Sequence, residues 1–229
     1  MNKKITQLHY NNAVDFCQVM STQCQSWYSK DYHIVVGFVD RERHLEQNEQ
    51  KQKKETQNII KYLENLYKKC MKYIHCELIF LNTFDPETNT VIASGVWEGE
   101  GVFVKPRTFS NEAYDWLKIN TTKEEYNKVY QWCMKKYGCG FDEMSTYASF
   151  IFPFRKRKPD TYWCAPYVVE ALKEIGFFKF VEPNTFDPDD VYDYLNKSQR
   201  TSKMVTIHEK KKIKEKARSQ FDKLWGIEK

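Results

Sequence analysis

Residues 162–177 read YWCAPYVVEALKEIGF, and the fold of the whole chain turns on them. Asp160 or Thr161 can cap a helix that runs to Ile175, where Gly176 ends it. Cys164 then falls in the first helical turn. A thiol at its free pKa of about 8.5 is a weak nucleophile, but a helix N-terminus and a neighbouring imidazolium together lower that value by several units. Most helix cysteines are small buried hydrophobes, so position alone does not make Cys164 a nucleophile; the elements around it must be read.

Working back from Cys164, the basic cluster Arg155 to Lys158 lies between Pro153 and Pro159 and would border the mouth of a site there, favouring an acidic or phosphate-bearing substrate. Thr121 or Thr122 followed by Glu124 and Glu125 forms a capping box. Tyr126, Val129, Tyr130, Cys133, Met134 and Tyr137 then recur at helical spacing until Gly138. Further upstream, HCELIFL (75–81), VIASGVW (91–97) and VFVKPRTF (102–109) read as three consecutive antiparallel strands, separated by the turn cluster NTFDPETNT and by Gly99 and Gly101. HIVVGFV (33–39) reads as a further strand of the core sheet. A helix is expected near Asn12 to Met20 and another over NIIKYLENLYKKCMKY, with the polar run 40–57 between strand and helix either a solvated helix or an insertion.

Downstream, FVEPNTFDPDDVYDYL reads as a loop and short helix, after which Ile213, Ala217, Phe221 and Leu224 line one face of a basic helix. The organisation expected is an N-terminal extension with a polar insertion over 1–69, a core over 70–199, and a basic amphipathic C-terminal helix over 200–229.

His75 opens the first strand of the meander, and Cys164 follows about 90 residues later. This order resembles the circularly permuted branch of the NlpC-like papain superfamily, which includes lecithin:retinol acyltransferase relatives and proteins of bacteria and large DNA viruses. The matching pieces are IHCELIF, VIASGVW, VFVKPRTF, KKYGCGFDEMS and YWCAPYVVEALKEIGF, together spanning roughly residues 70–178. Tyr162-Trp163 fits the aromatic pair that often precedes the family's cysteine; Ala165-Pro166 departs from the Ser-Glu pair that often follows it. The resemblance implies an α+β, permuted papain-like fold with an antiparallel sheet packed on the nucleophile helix. It implies a cysteine hydrolase, whether peptidase, isopeptidase, amidase or acyltransferase, acting on a protein, peptide or acyl-lipid substrate without a cofactor. Cys164 would be the nucleophile and His75 the base, with the Ala165 backbone N–H in the oxyanion hole.

His33, which also opens an apolar strand, and His208 compete with His75 for the base. Strand alternation places Glu77 on the face of His75, and the hairpin brings Ser94 or Glu98 opposite that face; Glu77 ranks first as the third catalytic group. Cys76 points away and reads as packing. Cys133 and Cys139 lack partners at metal-ligand spacing, so no metal is expected.

Composition sets the bounds on these readings. Hydrophobic residues at 41% and aromatics at 16% supply a substantial core. No apolar run approaches the roughly 20 residues of a membrane span, and MNKKITQLHYNN lacks a signal-peptide core, so an intracellular protein in a reducing compartment is expected. The seven cysteines, an odd number without paired spacing, fit reduced thiols there. Residues 200–229 carry ten Lys or Arg against four Asp or Glu, more than the whole chain's net charge of +5, so the tail is the part suited to an anionic partner. An alternative is a catalytically inactive papain-fold binding or virion structural protein that docks through this tail, and the richness in Lys, Asn and Tyr fits a viral source.

Overall fold

A computed structural model describes residues 32–48, 71–85, 87–88, 90–109, 113–142 and 157–204. The expected helix near Asn12 to Met20, residues 58–70 of the helix expected over 58–73, and the tail beyond Met204 lie outside the described residues; 71–73 are not helical, Tyr73 instead opening a strand. The architecture is α+β with a mostly antiparallel sheet.

Among the described residues, eight strands and four α-helices follow in the order β1 (Tyr32–Asp40), α1 (Arg41–Asn48), β2 (Tyr73–Asp85), β3 (Thr90–Trp97), β4 (Gly101–Arg107), β5 (Tyr114–Thr121), α2 (Lys123–Lys136), β6 (Gly140–Phe141), β7 (Thr161–Tyr162), α3 (Cys164–Lys173), α4 (Pro188–Asn196) and β8 (Thr201–Met204). Six of the strands form one sheet in the order β4-β3-β2-β1-β5-β8, every neighbouring pair antiparallel. β6 and β7 form a separate parallel pair. The meander expected over residues 75–109 is the β2-β3-β4 half of the large sheet. β1 lies between β2 and β5, so residues before 70 supply a central strand rather than only an extension. β8 is an edge strand within the segment expected to be helical tail.

The sheet buries both faces. On one, Ile34, Val36, Phe38, Cys76, Leu78, Phe80, Leu117 and Ile119 pack against α2, α3 and α4. On the other, Val35, Ile79, Ala93, Phe103, Tyr114 and Trp116 form a second cluster. α3 buries seven of its ten residues, consistent with a helix apolar nearly all round. Each fully buried Val, Leu or Phe side chain in these layers contributes about 1.5–3 kcal/mol relative to exposure. α2 begins at the expected capping box: Thr122 accepts from the Glu125 N–H and Glu125 accepts from the Thr122 N–H.

α3 is tied to the sheet by Tyr167, whose hydroxyl lies 2.5 Å from Ser94 Oγ on β3, while Ser94 Oγ donates to the Phe103 carbonyl at 3.0 Å. α4 is tied to the start of β2 by Asp189, which accepts from the backbone N–H groups of Tyr73 at 2.7 Å and Lys72 at 2.9 Å. Between Val39 and Asp40 the β1–β2 register shifts, so that Asp40 faces Tyr73 while Val39 faces His75. Ile74 is the extra residue, a β-bulge placed beside His75.

Candidate active site

α3 begins at Cys164. Trp163 is its N-cap, in extended conformation and with no side-chain cap hydrogen bond. The capping expected from Asp160 or Thr161 does not occur: Asp160 has a positive φ of 53° in the turn, and Thr161 belongs to β7. Pro166 has no N–H, and the Tyr167 N–H is the first in the helix to bond back, to the Trp163 carbonyl at 3.2 Å. The N–H groups of Cys164 and Ala165 are therefore first-turn donors without an intrahelical acceptor. Cys164 as a residue is half-buried.

The helix start meets β2 where the sheet opens. β2 and β3 pair at Leu78 with Ser94 and on toward the hairpin, and the ladder stops there on the side of His75 and Cys76. The Cys164 sulfur lies against this gap, where the Cys76 thiol, the His75 imidazole and the Cys76 backbone N–H act on it. Those three contacts, Cys76 first, hold the Cys164 thiol well below the usual range despite burial. Burial disfavours the His75 imidazolium, but its bond to Cys164 and the charges of Cys164 and Glu77 outweigh that and raise its pKa, with Arg107 opposing. These opposite shifts favour holding the proton on His75 rather than on Cys164. Cys133 provides a contrast on α2: burial without a cationic partner pushes its thiol up to about 11.

His75 lies against Trp97 with the rings tilted by 42° and their centroids 4.8 Å apart, and Trp97 is 38% exposed at the end of β3. The imidazole Nε2 is buried and has no hydrogen-bond partner among the described residues. The hydrogen bond expected from Glu77 is not formed, because both its oxygens are engaged elsewhere. Arg107 Nη1 donates to Oε2 at 2.7 Å and the Tyr114 hydroxyl to Oε1 at 2.8 Å. Glu77 is wholly buried, and its strand neighbours are both glycines. A Cβ on Gly37 would lie 2.6 Å from the Trp116 ring, and one on Gly95 would lie 3.0 Å from the Glu77 Cβ and 3.1 Å from the Phe103 ring. The missing side chains let these aromatic rings wall in the carboxylate. Glu77 acts on His75 through its charge, not by orienting it.

Ser94 and Glu98 do not reach the imidazole either. Ser94 opposes Leu78, on the α3 face, and Glu98 is exposed in the β3–β4 turn. His33 pairs with Asn120, six residues along β1 from Val39, which faces His75; this is roughly 20 Å at about 3.3 Å per residue. His208, Arg155 and Lys156 lie outside the described residues. Arg157 is turned from the site: it donates to Glu170 at 2.8 Å and lies 4.0 Å from the Tyr162 ring centroid.

Cys76 packs in the core beside Leu78 and Phe80, as strand alternation expects. Beside the bulge at Ile74, and at the unpaired edge of β2, both His75 and Cys76 are placed to act on the Cys164 thiol. No local sequence signal marks a bulge of this kind; the adjacency of a second cysteine to the histidine was the one available hint. Among the described residues no three of His, Cys, Asp or Glu converge as a metal site would need, and no helix is long and apolar enough to cross a membrane.

Compared with known proteins, the chain matches no family model, no curated protein and no solved structure.

Proposed function

We propose that this chain is a cysteine hydrolase with a permuted, NlpC-type papain-like core, in which Cys164 is the nucleophile and His75 the acid–base. The observation that carries the reading is a half-buried cysteine at a helix start with no side-chain cap, beside a histidine, the cysteine pKa lowered and the histidine pKa raised by each other. The order of elements, a histidine strand and meander before the cysteine helix, supports the permuted arrangement.

The mechanism follows from these groups. The Cys164 thiolate adds to the carbonyl carbon of an amide, isopeptide or ester, and the oxyanion accepts from the Cys164 and Ala165 N–H groups. As the tetrahedral intermediate collapses, the His75 imidazolium gives its proton to the leaving amine or alcohol, and a thioester remains on Cys164. Neutral His75 then takes a proton from water, which attacks the thioester and restores the thiolate–imidazolium pair. Trp97, its ring tilted against the imidazole, shields part of it from water. Glu77 favours the charged ring from within the core.

The test is covalent labelling by a peptide vinyl sulfone or acyl-type thiol probe, with the modified residue mapped by mass spectrometry. Labelling at Cys164 that disappears in Cys164→Ala and weakens in His75→Ala is expected. Equal labelling of the parent and Cys164→Ala would end the proposal.

A further inference from the structure

The Cys76 thiol takes no part in the hydrolytic steps, yet it is wholly buried on β2 in the core cluster against which Cys164 packs, and the two thiols act on each other. Both cysteines belong to the cluster between the sheet and α3, and both are free thiols. Their settings differ in a way that assigns an order of reaction. Cys164 is half-buried at a helix N-terminus beside a cationic imidazole; Cys76 is shut away from solvent and uncharged. An oxidant arriving from solvent meets Cys164 first, and any sulfur-bound leaving group formed there lies against Cys76.

We propose that Cys164 and Cys76 form a reversible peroxide-dependent disulfide, with Cys164 the reacting thiolate and Cys76 the resolving thiol. In the first step the Cys164 sulfur attacks one oxygen of hydrogen peroxide. The S–O bond forms, the O–O bond breaks, and the departing hydroxide takes the His75 proton and leaves as water. In the second step the Cys76 sulfur attacks the Cys164 sulfenic acid. The S–S bond forms, the S–O bond breaks, and the hydroxide leaves with the Cys76 proton as a second water. Two thiols are oxidised by two electrons in all, and one peroxide is reduced to two waters. The outcome removes the nucleophile while keeping Cys164 from sulfinic acid, which thiols do not reduce. The inference shares Cys164 with the hydrolase reading but does not need an acyl substrate.

The test uses the full chain in reduced form, treated with hydrogen peroxide in small excess, blocked with N-ethylmaleimide, digested without reductant and mapped by mass spectrometry. The expected product is a Cys76–Cys164 linked peptide, two hydrogens lighter than its parts, that dithiothreitol separates. Vinyl sulfone labelling of Cys164 should fall to roughly a tenth or less on oxidation and return with dithiothreitol. In Cys76→Ser, peroxide should carry Cys164 to sulfinic acid, with labelling not restored. Because the decisive product is sought in the unmutated chain, the inference does not depend on how that variant folds. It is overturned if oxidised parent protein holds Cys164 as sulfinic acid with Cys76 free, links Cys164 to another cysteine, or is unchanged at both. Probe labelling of Cys164 with no such link would sink this inference alone; the link in a protein that no acyl probe labels would sink the hydrolase reading alone.

Discussion

Replacing His75 with alanine should move the pH midpoint of Cys164 alkylation upward. The imidazole supplies one charge-assisted hydrogen bond to the sulfur, in the class contributing about 1.5–3 kcal/mol. At about 1.4 kcal/mol per tenfold, its loss changes the thiol–thiolate equilibrium by roughly ten- to a hundredfold toward thiol. A more basic thiolate is also more nucleophilic, with a Brønsted slope of about 0.5, so roughly half of that logarithmic loss is recovered. The net fall in rate on the acidic side of both profiles is therefore roughly three- to tenfold. The profile should not reach that of a free thiol, because the Cys76 thiol and backbone N–H remain on the sulfur. The assay is iodoacetamide alkylation quantified at the Cys164 peptide from about pH 4 to 9, alongside Cys133 as an internal buried thiol. An unchanged midpoint, or one displaced to lower pH, would refute the ion-pair account of the site.

The remaining expectations concern the framework. Glu77→Gln leaves Arg107 without its carboxylate and should lower stability by about 2–4 kcal/mol in urea unfolding, since Arg107 keeps partial solvent access. Its effect on the alkylation midpoint should be upward but smaller than that of His75→Ala, because Glu77 touches His75 only by charge. Asp115 is held below the usual carboxylate range: burial pushes its pKa up, but bonds from Tyr73 and Arg43 and the nearby cations win. A lowered folded pKa stabilises above the unfolded value of about 3.9 and is lost as pH falls through the folded one. The urea midpoint should therefore drop on acidification below about pH 4, and Asp115→Asn should lose about 3–5 kcal/mol at neutral pH and the Asp115 part of that acid slope. Gly37→Ala would place a methyl group 2.6 Å from the Trp116 ring, and a loss of about 1–3 kcal/mol is expected in thermal unfolding. A Gly37→Ala protein with an unchanged melting temperature would show that the ring yields freely.

The meander was legible because its turns are marked by Asp85, Gly99 and Gly101, and α2 because Thr122 and Glu125 form a capping box. β5 was not read at all. Its sequence YDWLKINT buries Tyr114 and Trp116 on one face and Asp115, Leu117 and Ile119 on the other, so no polar alternation betrays a strand. The central position of β1 likewise has no local mark, since it is set by partners far along the chain, with Ile34 opposite Phe80 and Ile119. At the site, the pairing of His75 with Cys164 followed from element order, whereas the partners of Glu77 did not. Arg107 and Tyr114 come from strands two places away on either side of β2, and only the sheet order brings them together.

The same sheet order explains why the thiolate is held without a large polar cage. Where β2 and β3 stop pairing below Leu78, an open strand edge would ordinarily demand water or a new partner for its N–H groups. Here the sulfur of Cys164 lies in that place and the Cys76 N–H acts on it, so a break in the ladder leaves a donor for the sulfur proposed as nucleophile. Both flanks of the donor segment are fixed: Asp189 holds the backbone at Lys72 and Tyr73, and Tyr167, one turn into α3, is pinned to Ser94 on β3. Helix and strand therefore meet at a spacing set by the core rather than by the reacting groups. In the proposed reaction a thiolate positioned in this way would need no reorganisation before attack, the condition under which a single imidazole and two main-chain donors can serve acyl transfer.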